Sequence, residues 1–238
     1  MTARALVFAS IRHALGVSGA EEPRRKAAQD RLRDHPRGVI PQRGQLGTVE
    51  RIALFVSKVE AVSGTTQRIA SIDDLPAAVA QYLRGHNLPL ALKRGADPAL
   101  AAAPWEREPS LTVAVGATEG NDLVAISHAY GAAAETGTLV LLSGADNPTT
   151  LNFLPDNHVV VVAAETVAGD YESVLARLRD QFGVERLPRA INLVTGPSRS
   201  ADIEQTLILG AHGPRRLHVI VVGGPPFSEG QMNGRWGT

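Results

Sequence analysis

The chain has 238 residues, 44% hydrophobic and 20% charged, a composition that suits a folded globular protein and excludes disorder throughout. Basic and acidic residues balance at 24 each, so no overall field draws the chain to nucleic acid or to an acidic membrane surface. Cysteine is absent, which removes disulfides, a thiol nucleophile and any cysteine-ligated iron–sulfur cluster in this chain.

Ala3, Leu6, Val7, Ile11, Ala14 and Leu15 recur at helical spacing, and Gly16 can end that helix with a positive backbone dihedral. Residues 21–34 are mostly charged, so the helix they form is expected to be largely exposed or to lie on an acidic partner. Together with the loop from Pro36 to Gly47 they suggest a basic helical arm over residues 1–45. The body is expected over 46–224, followed by a loose tail over 225–238.

Val49, Ile52, Ala53, Val56 and Val59 follow helical spacing again, with Thr48 expected as N-cap and Gly64 as stop. Thr65 to Ala70 reads as a strand, and Ser71-Ile-Asp-Asp74 opens a helix that runs to about Arg84. Short apolar runs follow at 89–92, 111–115, 123–126, 139–142, 159–163, 191–194 and 217–222. Val159 to Val162 and Val219 to Val222 are apolar on successive residues, as a strand covered on both faces requires. Tyr171, Val174, Leu175, Leu178 and Phe182 form an amphipathic helix stopped at Gly183, and Thr149 to Leu154 gives a shorter one. This alternation predicts an α/β fold: an open, mostly parallel sheet flanked by helices, with ligands bound at the carboxyl ends of the strands. No early stretch has signal-peptide form and no run reaches the length of a membrane span, so the expected location is the cytoplasm.

Two polar turns carry the chemistry. In the first, Glu135 precedes Thr136-Gly137-Thr138 and an apolar strand, where desolvation could make it a base or nucleophile; a hydrogen-bonded structural carboxylate is the competing account. In the second, Gly196, Ser198, Arg199 and Ser200 follow the strand at 191–194 and offer backbone donors, hydroxyls and a bidentate cation to a carboxylate or phosphate. The competing account has Ser198 or Ser200 capping a helix near Ala201, with Arg199 paired to Asp202 or Glu204; both carboxylates could instead accept from ligand hydroxyls. His212, between Gly210 and Gly213, is the histidine expected to be accessible for proton transfer; a plain turn histidine is the competing account. The other six histidines lack paired metal-site spacing, and no metal is expected. No Walker or Rossmann glycine pattern and no Gly-x-Ser-x-Gly elbow occurs, and aromatic residues at 4% are too few for a base-stacking platform.

Through Ala134-Glu-Thr-Gly-Thr-Leu-Val-Leu-Leu142, Asn157-His-Val-Val160 and the segment 192–219, the chain closely resembles the LUD (lactate-utilisation) domain family over roughly residues 50–222. Ser200 stands where the family pattern has threonine, keeping the hydroxyl, and Arg216 stands where it has an acidic residue. The resemblance implies a fold similar to the NagB/RpiA/CoA-transferase group and a role in oxidising L-lactate to pyruvate beside two iron–sulfur partner proteins. Those partners would carry the electrons, in keeping with a chain that has no cysteine. It leaves the cofactor open and supplies no assigned catalytic residue for this chain. Three roles follow as expectations: a substrate-handling or accessory subunit binding a small carboxylate, a freestanding enzyme of CoA-transferase type using Glu135, and a scaffold without ligand.

Overall fold

A computed structural model describes residues 2–183, 186–200 and 208–225. The chain divides into two compact units, residues 1–39 and 40–238. The expected tail falls almost wholly outside the described residues.

The first unit consists of two helices, α1 (Ala3–Leu15) and α2 (Glu22–Asp34), neither of which buries a residue. Thr2 caps α1 by accepting from the Ala5 N–H at 3.3 Å, and Gly16 ends it with φ of 64°. Leu6, Val7, Phe8, Ile11 and Leu15 stay exposed along α1.

The second unit runs through α3 (Thr48–Ala61), β1 (Thr65–Ile69), α4 (Leu75–Gly85), β2 (Ala91–Arg94), α5 (Pro98–Ala101), β3 (Thr112–Val115), β4 (Val124–His128), β5 (Gly131–Ala133) and β6 (Thr138–Leu142). It continues with α6 (Thr150–Phe153), β7 (Asn157–Ala163), β8 (Val167–Ala168), α7 (Tyr171–Phe182), β9 (Ile191–Val194), β10 (Arg199–Ser200), β11 (Ile208–Leu209) and β12 (Arg216–Val222). Six strands form a wholly parallel sheet in the order β1-β12-β7-β4-β2-β3. A second sheet, β8-β5-β6-β9, is antiparallel except where β8 joins β5. Among the described residues no helix is long and apolar enough to cross a membrane.

The successive valines sit where their pattern predicts. Val160 and Val162 pack with Ile52, Phe55 and Val59 of α3 and with Leu139 and Leu141 of β6, while Val159 and Val161 pack on the other face against Leu75, Val79 and Leu83 of α4. The small sheet turns its outer face, through Ala133 and Val140, to Val174 and Leu178 of α7.

Three local expectations change. The residue capping α3 is Gly47, with no side-chain cap bond, and Thr48 is already helical. Ser71 does form its box, accepting from the Asp73 N–H while the Asp74 carboxylate accepts from the Ser71 N–H, each at 3.2 Å, but the turn it opens is a 3-10 segment (Ile72–Asp74) before α4. The strand at 191–194 joins the antiparallel sheet, paired with β6; the short strands β5 and β8 that complete that sheet consist of small residues and valine without alternation, so no period marks them.

Two histidines begin core strands and are buried without charge. Burial pushes His158 down to about 3 and, with the nearby charge of His86, His218 down to about 4. A histidine that is neutral when folded and titrates near 6.5 when unfolded supports stability fully above pH 6.5, and that support is lost as the pH falls from there towards 4. Urea unfolding should therefore show stability falling across this window by up to about 1.4 kcal/mol per pH unit for each histidine. His158→Asn should flatten the slope, and a slope unchanged in that variant would remove His158 as its source.

Candidate functional site

The two polar turns meet at the last turn of α3. Gly137, at φ of 72°, lies so close that an added Cβ would stand 2.8 Å from both Lys58 Cβ and the Val59 nitrogen. Gly196, at φ of 95°, would bring a Cβ to 2.8 Å from Val62 Cγ2. Both positions need a residue without a side chain for the backbone dihedral as well as for the space. Between them the Thr138 and Thr195 hydroxyls bond at 2.6 Å, and Thr138 also meets the Tyr171 hydroxyl at 2.6 Å and the Thr136 hydroxyl at 2.8 Å.

Glu135 makes its bonds at the start of α7. It is 8% exposed, its N–H donates to the Gly169 carbonyl at 3.0 Å, and its Oε1 accepts from the Tyr171 N–H at 3.1 Å, at the first turn of α7. A carboxylate there complements the positive end of the helix dipole and satisfies an N–H that the helix leaves free. Arg199 is exposed and turned back to α3, where Nη2 donates to the Val62 carbonyl at 2.5 Å and to the Ser63 hydroxyl at 2.6 Å. It thereby braces the carboxyl end of that helix, where a cation is favoured.

Beside Arg199 lies a cleft of about 270 Å³, whose lining includes the polar residues Thr195, Ser198, Arg199 and His212 and the apolar residues Phe153, Leu193 and Leu217. The Ser198 N–H donates to the Pro214 carbonyl at 2.8 Å and the Gly210 N–H to the Ser198 carbonyl at 3.0 Å, which ties the second turn to the loop carrying His212. Of the residues singled out from sequence, Gly196, Ser198, Arg199 and His212 line this one cleft. Glu135, Thr136, Gly137 and Thr138 are joined to it through the Thr138–Thr195 bond without lining it, and Ser200 continues into β10, paired with Ile208. Asp202 and Glu204, and the helix expected near Ala201, lie outside the described residues.

The cleft reaches His158 and Leu217, at the amino ends of β7 and β12, and not the carboxyl ends where a parallel sheet leads one to look. The reason is the membership of β9: as part of the antiparallel sheet it delivers Thr195 and the turn after it to the opposite end of the large sheet.

His158 forms part of the cleft's floor and was not singled out by spacing. Ser127 Oγ donates to Asn152 Oδ1 at 2.9 Å and stands 2.9 Å from His158 Nε2, so the serine oxygen accepts from Nε2–H. Among the described residues Nδ1 has no partner. The available signal was a polar side chain at the head of an otherwise apolar buried run. No group of three His, Asp or Glu residues that could hold a metal occurs among the described residues.

The chain matches the LUD domain over residues 52–222. It is similar to proteins named lactate utilization protein C: 41% identical over 90 residues to that of Geobacillus sp. (strain WCH70), covering 37% of each chain, and 38% identical over 89 residues to that of Anoxybacillus flavithermus, covering 37% of this chain and 39% of the relative. The aligned stretch thus spans less than two fifths of these relatives. The crystal structure of a DUF162 family protein from Deinococcus radiodurans shares the fold, with a TM-score of 0.54 at 24% identity over 75% of this chain and 99% of that one. A match running from α3 through β12 and taking in both sheets makes this chain a member of the LUD domain family.

Proposed function

We propose that the chain serves the use of L-lactate, its oxidation to pyruvate, as a substrate-handling or accessory subunit that works in the cytoplasm beside iron–sulfur partner proteins. Membership of the LUD domain family and similarity to proteins named lactate utilization protein C support the pathway. A chain without cysteine has no thiolate ligand for a cluster, which favours partners as the electron carriers.

The observation that carries the site is the meeting of Ser198, Arg199 and His212 around one small cleft that Phe153, Leu193 and Leu217 also line. A carboxylate of two or three carbons suits that combination: oxygens towards the hydroxyl and the cation, the methyl end towards Phe153 and Leu217. A guanidinium carries five N–H donors, and the two bonds to α3 use only Nη2, so Arg199 can be held by the helix and still present donors to an anion. His212 is exposed at the mouth, where it can exchange a proton with a ligand hydroxyl. For the CoA-transferase reading nothing comparable speaks, because the Glu135 carboxylate is taken up at the start of α7.

Calorimetric titration with L-lactate and with pyruvate tests the reading. Arg199→Ala should weaken binding by about tenfold or more, the worth of one charge-assisted hydrogen bond. Ser198→Ala, which leaves the brace on α3 intact, should weaken it about threefold to tenfold. Equal affinity in both variants would remove the cleft from the reading, and a tagged chain that retains no iron–sulfur protein from lactate-grown cells would remove the partners.

A further inference from the structure

A second constellation lies at the opposite, carboxyl end of the parallel sheet. After β2 the chain crosses one face through α5 to reach β3 on one side, while after β4 it crosses the other face through β5, β6 and α6 to reach β7 on the other side. The neighbouring strands β2 and β4 therefore send their connections in opposite directions, and a crevice opens between their carboxyl ends, the place where open α/β sheets take ligands. Asp97 follows β2 and His128 ends β4, so the two residues stand on either side of that crevice.

Their geometry is that of an oriented pair. His128 Nδ1 lies 3.3 Å from both carboxylate oxygens of Asp97. Asp97, 7% exposed, also accepts from the Ala99 N–H at 2.9 Å, the Leu100 N–H at 3.3 Å and Asn147 Nδ2 at 3.1 Å. Burial alone would raise its carboxyl; the hydrogen bond and charge of His128, with the bonds from Asn147 and Leu100, outweigh it and hold the group down at about 2. An ionised carboxylate only accepts, so the proton of the neutral imidazole sits on Nδ1 and Nε2 keeps its lone pair. His128 also lines an apolar hollow of about 200 Å³ walled by Ile72, Ala99, Ala102, Val161, Ala163 and Val222.

We infer that the Asp97–His128 pair is a second ligand site, separate from the polar-turn cleft, which takes a small hydroxylated aliphatic molecule: His128 Nε2 accepts the hydroxyl proton in a hydrogen bond and the hollow receives the carbon body. Asp97 is the positioning residue, fixing the tautomer and steadying the ring if it becomes charged. Asn147 and the first turn of α5 in turn fix Asp97.

Long-range nitrogen–proton NMR of the full chain with labelled histidine tests the site with three probes of one size. L-lactate has a hydroxyl and a carboxylate, propane-1,2-diol has hydroxyls only, and propionate has the carboxylate only. The free protein should show His128 as the Nδ1–H tautomer. Lactate and the diol should shift Nε2 while propionate leaves it unmoved; a response to lactate alone still depends on the hydroxyl and narrows the ligand to hydroxy acids. Asp97→Asn should lose the tautomer preference and weaken the response about tenfold, with Asn147→Ala as the milder change should the first fail to fold. An Nε2–H tautomer in the free protein, silence with all three probes, or an equal shift with propionate would overturn the inference. Arg199→Ala must leave the His128 response intact. Lactate shifting His212 and not His128 would keep the cleft and remove this site, whereas the reverse would keep this site and remove the cleft.

Discussion

The last turn of α3 is the surface on which the rest of the polar-turn site depends. Two turns from different parts of the small sheet press their backbones onto it at Gly137 and Gly196, where any side chain would collide with Lys58, Val59 or Val62. Once seated, they lie close enough for Thr138 and Thr195 to bond across the 57 residues that separate them in sequence. Arg199 completes the seat by donating to the Val62 carbonyl and the Ser63 hydroxyl. Each hydroxyl bond contributes only about 1 kcal/mol. The constraint comes instead from close packing, which admits one arrangement of the turns and so one position for the cleft beside them.

That arrangement leaves different groups at the two ends of the large sheet. At the amino ends of β7 and β12 the small sheet brings in hydroxyls, a guanidinium and an exposed histidine around a mixed polar and apolar cleft. At the carboxyl ends the reversal of connections between β2 and β4 leaves a crevice with an oriented carboxylate and imidazole. With no net charge on the chain, neither end is served by a long-range field, and a ligand proposed at either end would have to be recognised by short-range groups.

Much of the large sheet was legible. Successive valines at 159–162 and 219–222 can be buried only if both faces are covered, and the structure covers them with α3 and β6 on one side and α4 on the other. The small sheet was not. Gly131–Ala133 and Val167–Ala168 are too short to show a period, and Ile191–Val194 carries no mark that tells an antiparallel neighbour from a parallel one. This one missing fact sent the expected crevice to the wrong end of the sheet for the turn at 195–200. The polar turns themselves were visible as dense polar residues after apolar runs, but sequence cannot say which way Glu135 and Arg199 point, since both directions satisfy the local pattern. His158, Asp97 and His128 were missed because their partners, Ser127, Asn152 and Asn147, are brought to them by strand register and loop packing and not by spacing.

The central claim is that α3 gathers the second polar turn and the loop of His212 into a cleft that receives a small carboxylate. A crystal structure of the full chain soaked with pyruvate tests it most directly. The account predicts the carboxylate between Ser198 and Arg199 with the methyl group towards Phe153 and Leu217; pyruvate bound away from this cleft while the cleft stays empty would contradict it.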